Sequence, residues 1–156
     1  MLEGCKSAKE RWGGVSELID NWLNERQELL VLYCSLSGVD QLRVDERPFF
    51  EKMRHLCQML VDYVSAGHFE IYEQLQQEAV EFDDNVALNS ATALFDAIQK
   101  TTEFCLDFND GIDKFSDIQS LQVALSKLGE CLEERFALED QLIEVLHNSH
   151  GEAVTQ

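Results

Sequence analysis

Residues 61–75 read VDYVSAGHFEIYEQL, from Val61 to Leu75. Their apolar members, Val61, Val64, Phe69, Ile71 and Leu75, keep helical spacing, yet Ser65-Ala66-Gly67-His68 fills the middle, where helix formers are expected. The pattern continues on both sides. Met53, Cys57, Leu60, Val64, His68, Ile71, Leu75 and Phe82 fall on one stripe of a helix that starts near Pro48, a residue tolerated in a first helical turn. The stretch therefore belongs to one long helical arm with an interruption. Glycine in a helix interior costs about 1 kcal/mol relative to alanine. Its use at Gly67 predicts the close approach of another backbone, with His68 turned inward.

Three further arms share this periodicity. The first follows a short amphipathic stretch that is expected to break at Gly13-Gly14. It carries Val15, Leu18, Trp22, Leu29, Leu32 and Leu36 and stops near Gly38. The third runs from about Asn85 to Asp110 with Leu88, Ala91, Phe95, Ile98, Thr102 and Cys105 on its stripe. The fourth opens with the capping-box pattern Ser116-Asp-Ile-Gln119 and continues through Ile118, Leu121, Leu125, Leu128, Leu132, Leu142 and Leu146. Pro48 is the single proline, and alternating β-branched runs are scarce. The expected fold is all-α: an antiparallel up-down-up-down four-helix bundle with a short additional N-terminal helix, one domain over residues 1–156.

The chain of 156 residues is long enough for a single core without disulfides or metal. No apolar run approaches the length of a membrane span, and the N-terminus has no apolar core behind a basic start, so a cytoplasmic location without membrane association is expected. Cys5, Cys34, Cys57, Cys105 and Cys131 are odd in number and lack any C-x-x-C, the usage of reduced, small apolar side chains. Thirty acidic against 12 basic residues give a formal net charge of −18, which repels nucleic acid and anionic lipid and attracts basic partners. The acid is concentrated. From His55 through Gln99 there is no lysine or arginine, but there are Asp62, Glu70, Glu73, Glu78, Glu81, Asp83, Asp84 and Asp96. Such a run is either a solvated helix face or a binding face for a cationic partner.

Charged and polar residues also interrupt the stripes. Glu25 in the first arm, His68 in the second, Thr102 in the third, and Arg135 and Glu139 in the fourth would meet in one polar layer across the core. Three readings of this layer stand open. It can be an internal network, in which buried charges are paired and fix register. It can be a metal centre, although carboxylate-bridged bundles need two Glu-x-x-His motifs and only Glu144-Val-Leu-His147 is present. It can be a polar cavity that receives part of a partner. His147-Asn-Ser-His150 reads as a tail rather than a ligand pair, so neither a metal nor another cofactor is expected. Without a phosphate-binding glycine loop, a G-x-S-x-G elbow or a cysteine–histidine motif, an enzyme is not expected either.

The run LVDYVSAGHFEIYEQL, preceded by ERWGGVSELIDNWLNERQELL and followed by LEERFALEDQLIEVLHNSH, resembles the Rsd/AlgQ family of bacterial anti-sigma factors, with the AlgQ branch the nearer. The resemblance implies a four-helix bundle that binds the C-terminal helix-turn-helix region of the primary sigma factor. Such binding keeps sigma from −35 promoter DNA and core RNA polymerase and favours alternative sigma factors in stationary phase. It also implies control of exopolysaccharide (alginate) and other secondary products. The family signature falls on Asp62, Ser65, His68 and Phe69, to which charge adds Glu70 and Glu73. Phe69 and Tyr72 would be apolar anchors for sigma, although aromatics at helical spacing serve equally as core. Asp62 is the expected contact to a sigma arginine, in competition with DNA phosphate. The contrasting expectation is a metal- or ligand-binding bundle that uses the polar layer.

Overall fold

The computed structural model describes the backbone of residues 2–37, 46–114 and 118–148, with side chains over 17–36, 49–114 and 119–147. Every arm is helical: α1 Leu2–Ser37, α2 Glu46–Ala66, α3 Tyr72–Glu81, α4 Asn85–Gly111 and α5 Ile118–Ile143. Five-residue π turns, Gly67–Ile71 and Glu144–Asn148, join α2 to α3 and extend α5. The α2–α3 arm packs between α1 and α4, and α5 closes the bundle against both. The spacing-derived stripe forms its centre. Trp22, Leu29, Leu36, Met53, Leu60, Ile71, Leu75, Ile98, Leu121, Leu128, Leu142 and Leu146 are all buried.

Two expectations are corrected here. The backbone does not break at Gly13-Gly14, so there is no separate short N-terminal helix; those residues are the first part of α1. Two glycines weaken a helix by about 1 kcal/mol each, but neither removes a backbone hydrogen bond as proline would. The second concerns Gly67. A Cβ there would lie 3.1 Å from the Tyr72 hydroxyl oxygen and 3.5 Å from Trp22, so the glycine admits two side-chain rings rather than another backbone. The capping-box serine, Ser116, lies outside the described residues.

The interruption in the second arm is a change of helical pitch. The Tyr72 N–H bonds the Gly67 carbonyl five residues back, the mark of a π turn, which accommodates one extra residue without ending the helix. At the far end the chain reverses through Asp83, a non-glycine residue in the left-handed region at φ 54°. Asp84 then caps α4, its Oδ1 accepting from Ala87 N at 3.0 Å. Where α1 meets α5, the Tyr33 hydroxyl donates to the Leu125 carbonyl at 2.8 Å. Gly129 makes room for it, because a Cβ there would sit 2.1 Å from that oxygen.

Candidate functional site

Arg135 and Glu139 lie one turn apart on α5 and are both wholly buried. The Arg135 Nε approaches Glu139 Oε2 at 3.3 Å, an ion pair whose N–H is not aligned for a hydrogen bond. Other groups complete the cluster. Tyr63 donates to Glu139 Oε1 at 2.6 Å and Tyr72 to Oε2 at 2.5 Å, so both carboxylate oxygens accept from a phenol. Arg135 Nη1 donates to Thr102 and Thr101 at 2.7 and 3.0 Å, and its Nη2 donates to the Tyr72 oxygen at 3.0 Å. His68 Nε2 meets the Thr102 hydroxyl at 2.9 Å.

The first arm's member of the cluster is Arg26, not Glu25. Arg26 Nε donates to the Tyr63 oxygen at 3.0 Å, Nη2 to Glu139 at 3.4 Å and Nη1 to Asp140 at 2.7 Å. Its guanidinium also stands 4.7 Å above the centre of the Phe136 ring. Glu25 is exposed on the outer side of α1. Both residues lie between the buried Trp22 and Leu29, one at i+3 and the other at i+4 from Trp22, and helical spacing admits either. The structure takes the cation, which a buried carboxylate needs more than a second anion.

Electrostatics follow from this arrangement. Burial raises the Glu139 pKa, against the pull of Arg135, the two phenols and Arg26. Burial opposes the charge on Arg135, but Glu139 and its other neighbours more than offset it and hold it protonated. Desolvation, followed by the Arg135 charge, lowers His68 below the ordinary histidine value, so the neutral ring is favoured.

On the outer side of the same arm, Asp62, Phe69, Glu70 and Glu73 are exposed and Ser65 is half-buried. Phe69 is 76% exposed, a large apolar ring standing in water beside carboxylates. Tyr72, expected on this surface, is instead only 4% exposed and belongs to the interior cluster. The π turn puts adjacent parts of the expected set on opposite sides, Phe69 outward and Tyr72 inward. Burial and then the charges of Glu70, Asp62 and Glu28 raise the Glu25 pKa, so four carboxylates from α1 and the second arm share one field. An apolar groove of about 520 Å³ between α1 and α2, lined by Val31, Leu32, His55 and Met59, begins beside Glu28. On the α4 side a cleft of about 540 Å³ is bounded by His68, Tyr72, Glu73, Phe95 and Asp96.

Residues 1–147 match the model of a protein family described as regulator of RNA polymerase sigma(70) subunit, Rsd/AlgQ. The chain belongs to the Rsd/AlgQ family. It is 38% identical over 152 residues to a regulator of sigma D from Yersinia enterocolitica, covering 92% of this chain and 89% of that one. It is 40% identical over 149 residues to a regulator of sigma D from an Enterobacter species, covering 92% and 88%. The family is one of regulators of the sigma(70) subunit, and this member is a regulator rather than an enzyme.

Three members of the interior of this Rsd/AlgQ chain escape a reading by stripes. Tyr63 and Tyr72 are indistinguishable in sequence from core aromatics, because nothing in the spacing signals a phenol that must find an acceptor. His147, expected in a tail, is buried with its Nδ1 3.1 Å from Glu78 Oε2, which also removes Glu78 from the acidic face. His150 lies outside the described residues. Among the described residues no three His, Cys, Asp or Glu side chains converge as metal ligands, and no helix is long and apolar enough to cross a membrane. A cluster with two guanidiniums around one carboxylate supplies pairing and rigidity rather than a vacant coordination site.

Proposed function

We propose that the outer face of the second arm docks the C-terminal helix-turn-helix region of the primary sigma factor, with Asp62, Ser65, His68, Phe69, Glu70 and Glu73 in contact. The observation that carries this reading is Phe69, 76% exposed within a field of carboxylates crowded enough to raise Glu25. A DNA-reading helix-turn-helix presents arginine and lysine to phosphates and base edges. The same cations relieve the repulsion among Glu25, Glu28, Asp62 and Glu70, while Phe69 supplies a desolvated centre. Asp62 pairs with a sigma arginine. The cleft between His68 and Asp96 takes a second basic side chain. Tyr72 acts from inside by fixing the turn that presents Phe69.

Occupation of its DNA-reading helix withdraws sigma from −35 promoter DNA and from core polymerase. Alternative sigma factors gain polymerase in stationary phase, and control of alginate and other secondary products follows from that exchange. The chain acts in the cytoplasm, without contacting nucleic acid or membrane itself.

The test is titration of the full chain with the isolated C-terminal region of the primary sigma factor at low and high salt. The expected result is a complex at low salt that weakens as salt rises. Asp62→Arg, with unchanged helicity, weakens it further. Absence of a complex at low salt refutes the proposal.

A further inference from the structure

The cleft between α3 and α4 repeats one arrangement on both walls. Glu73 and Gln76 on α3, and Asp96 and Gln99 on α4, are each a carboxylate and a primary amide three residues apart, so each pair shares a helix face. All four are exposed and line a space of about 540 Å³. The floor between them is aromatic. The centre of the Tyr72 ring lies 5.3 Å from that of His68, at 72°, and 5.7 Å from that of Phe95, at 55°. Glu139 and Arg135 engage the Tyr72 hydroxyl from inside, which leaves its ring to the cleft. His68 Nε2 is held by Thr102 at 2.9 Å, and the imidazole favours its neutral form. No lysine or arginine is among the lining residues.

We infer that this cleft is a binding site for a free aliphatic polyamine, with one ammonium between Glu73 and Gln76, a second between Asp96 and Gln99, and the methylene chain across Tyr72 and Phe95. A primary ammonium carries three donors and no acceptor. At each wall a carboxylate and an amide carbonyl accept two of them, and the neighbouring ring faces attract the charge. The methylenes cover apolar ring surface that a hydrated inorganic ion would leave in water.

A hard metal ion fits this cleft poorly. It requires a shell of oxygen ligands, whereas the floor consists of rings, and no three ligating side chains converge among the described residues. A basic side chain of sigma brings the same kind of charge, so a bound polyamine excludes it from the cleft. That exclusion rests on the docking proposed above; the binding of the polyamine itself does not.

The experiment titrates the full chain with putrescine at near-physiological salt, read by calorimetry and by the ring resonances of His68, Tyr72 and Phe95. The expected result is saturable binding of one equivalent that shifts these rings, while magnesium, of equal charge, neither shifts them nor competes. Asp96→Asn, at an exposed position, weakens binding about tenfold, and Phe95→Leu weakens it several-fold. Glu130→Gln, an exposed acid on α5, leaves it unchanged. No binding, uptake that never saturates, equal competition by magnesium, or equal losses in Asp96→Asn and Glu130→Gln would reduce the effect to diffuse attraction by an acidic surface and overturn the site. In a second arm, saturating putrescine weakens the complex with the C-terminal region of sigma. Polyamine binding beside an undisturbed sigma complex overturns the exclusion alone. Absence of any sigma complex refutes the docking and leaves the polyamine site standing.

Discussion

The interior cluster behind the second arm and the outer face of that arm hold the same kinds of side chain to opposite ends. Inside, Glu139 is surrounded by two guanidiniums and two phenols, each within 3.4 Å. Outside, Asp62, Glu70 and Glu73 stand in water on a segment with no lysine or arginine from His55 through Gln99. Buried charge is tolerated only where it is compensated, and it then specifies geometry. Exposed charge left uncompensated contributes little to the fold and is available to a partner. Substitutions within the first region should therefore register in stability, and those within the second in binding.

The sharpest way to break this contrast is Arg135→Met. It leaves Tyr72, Thr101 and Thr102 without their shared donor and should lower stability by about 3–5 kcal/mol in urea denaturation. Sigma binding by the folded fraction should stay nearly unchanged. An equally stable variant would dissolve the distinction. Phe69→Ala tests the other side: stability within about 0.5 kcal/mol of the parent, but a loss of about 2 kcal/mol in sigma affinity, roughly thirtyfold. A variant that loses stability instead would move Phe69 to the inner group.

Gly67→Ala lies on the border. Alanine favours helix, but its Cβ would crowd a Tyr72 ring held between Glu139 and Arg135. The crowding should win, with a net loss of about 1–2 kcal/mol, read as a lower thermal midpoint and a disturbed tyrosine near-ultraviolet signal. The smallest effect concerns His68. Its folded pKa is depressed, so as pH falls below the ordinary value of 6.5 the unfolded chain takes up the proton first and stability declines. His68→Gln should flatten that slope, and a histidine resonance that titrates at or above 6.5 would contradict it.

Much of the bundle is legible in the chain because a 3.6-residue period fixes which residues face inward, and the leucines of α5 illustrate it from Leu121 to Leu146. Other features are not encoded in periodicity. Glycine pairs do not always end helices, so Gly13-Gly14 gives no boundary. Glu25 and Arg26 occupy neighbouring positions, and only the location of Glu139 decides between them. Phe69 and Tyr72 are three residues apart, which an ideal α-helix would keep on one side; the π turn separates them. Thr102, Arg135, Glu139 and His68 converge because each occupies a stripe position where an apolar side chain is expected.

The π turn at Gly67–Ile71 makes the second arm behave as two rulers joined with an offset. Each residue of an α-helix advances the face by about 100°, but the π turn already holds one residue more than an α turn, so removing one residue between Ala66 and Tyr72 would leave a continuous α-helix whose two halves stay in phase. Leu75 and Ala79 would keep their places in the core. What the extra residue preserves is the wide turn itself, with Phe69 outside and Tyr72 inside, rather than the register of the flanking helices. A single-codon deletion here should be more tolerable to the fold than one elsewhere in the same arm, where every following residue would turn by about 100°.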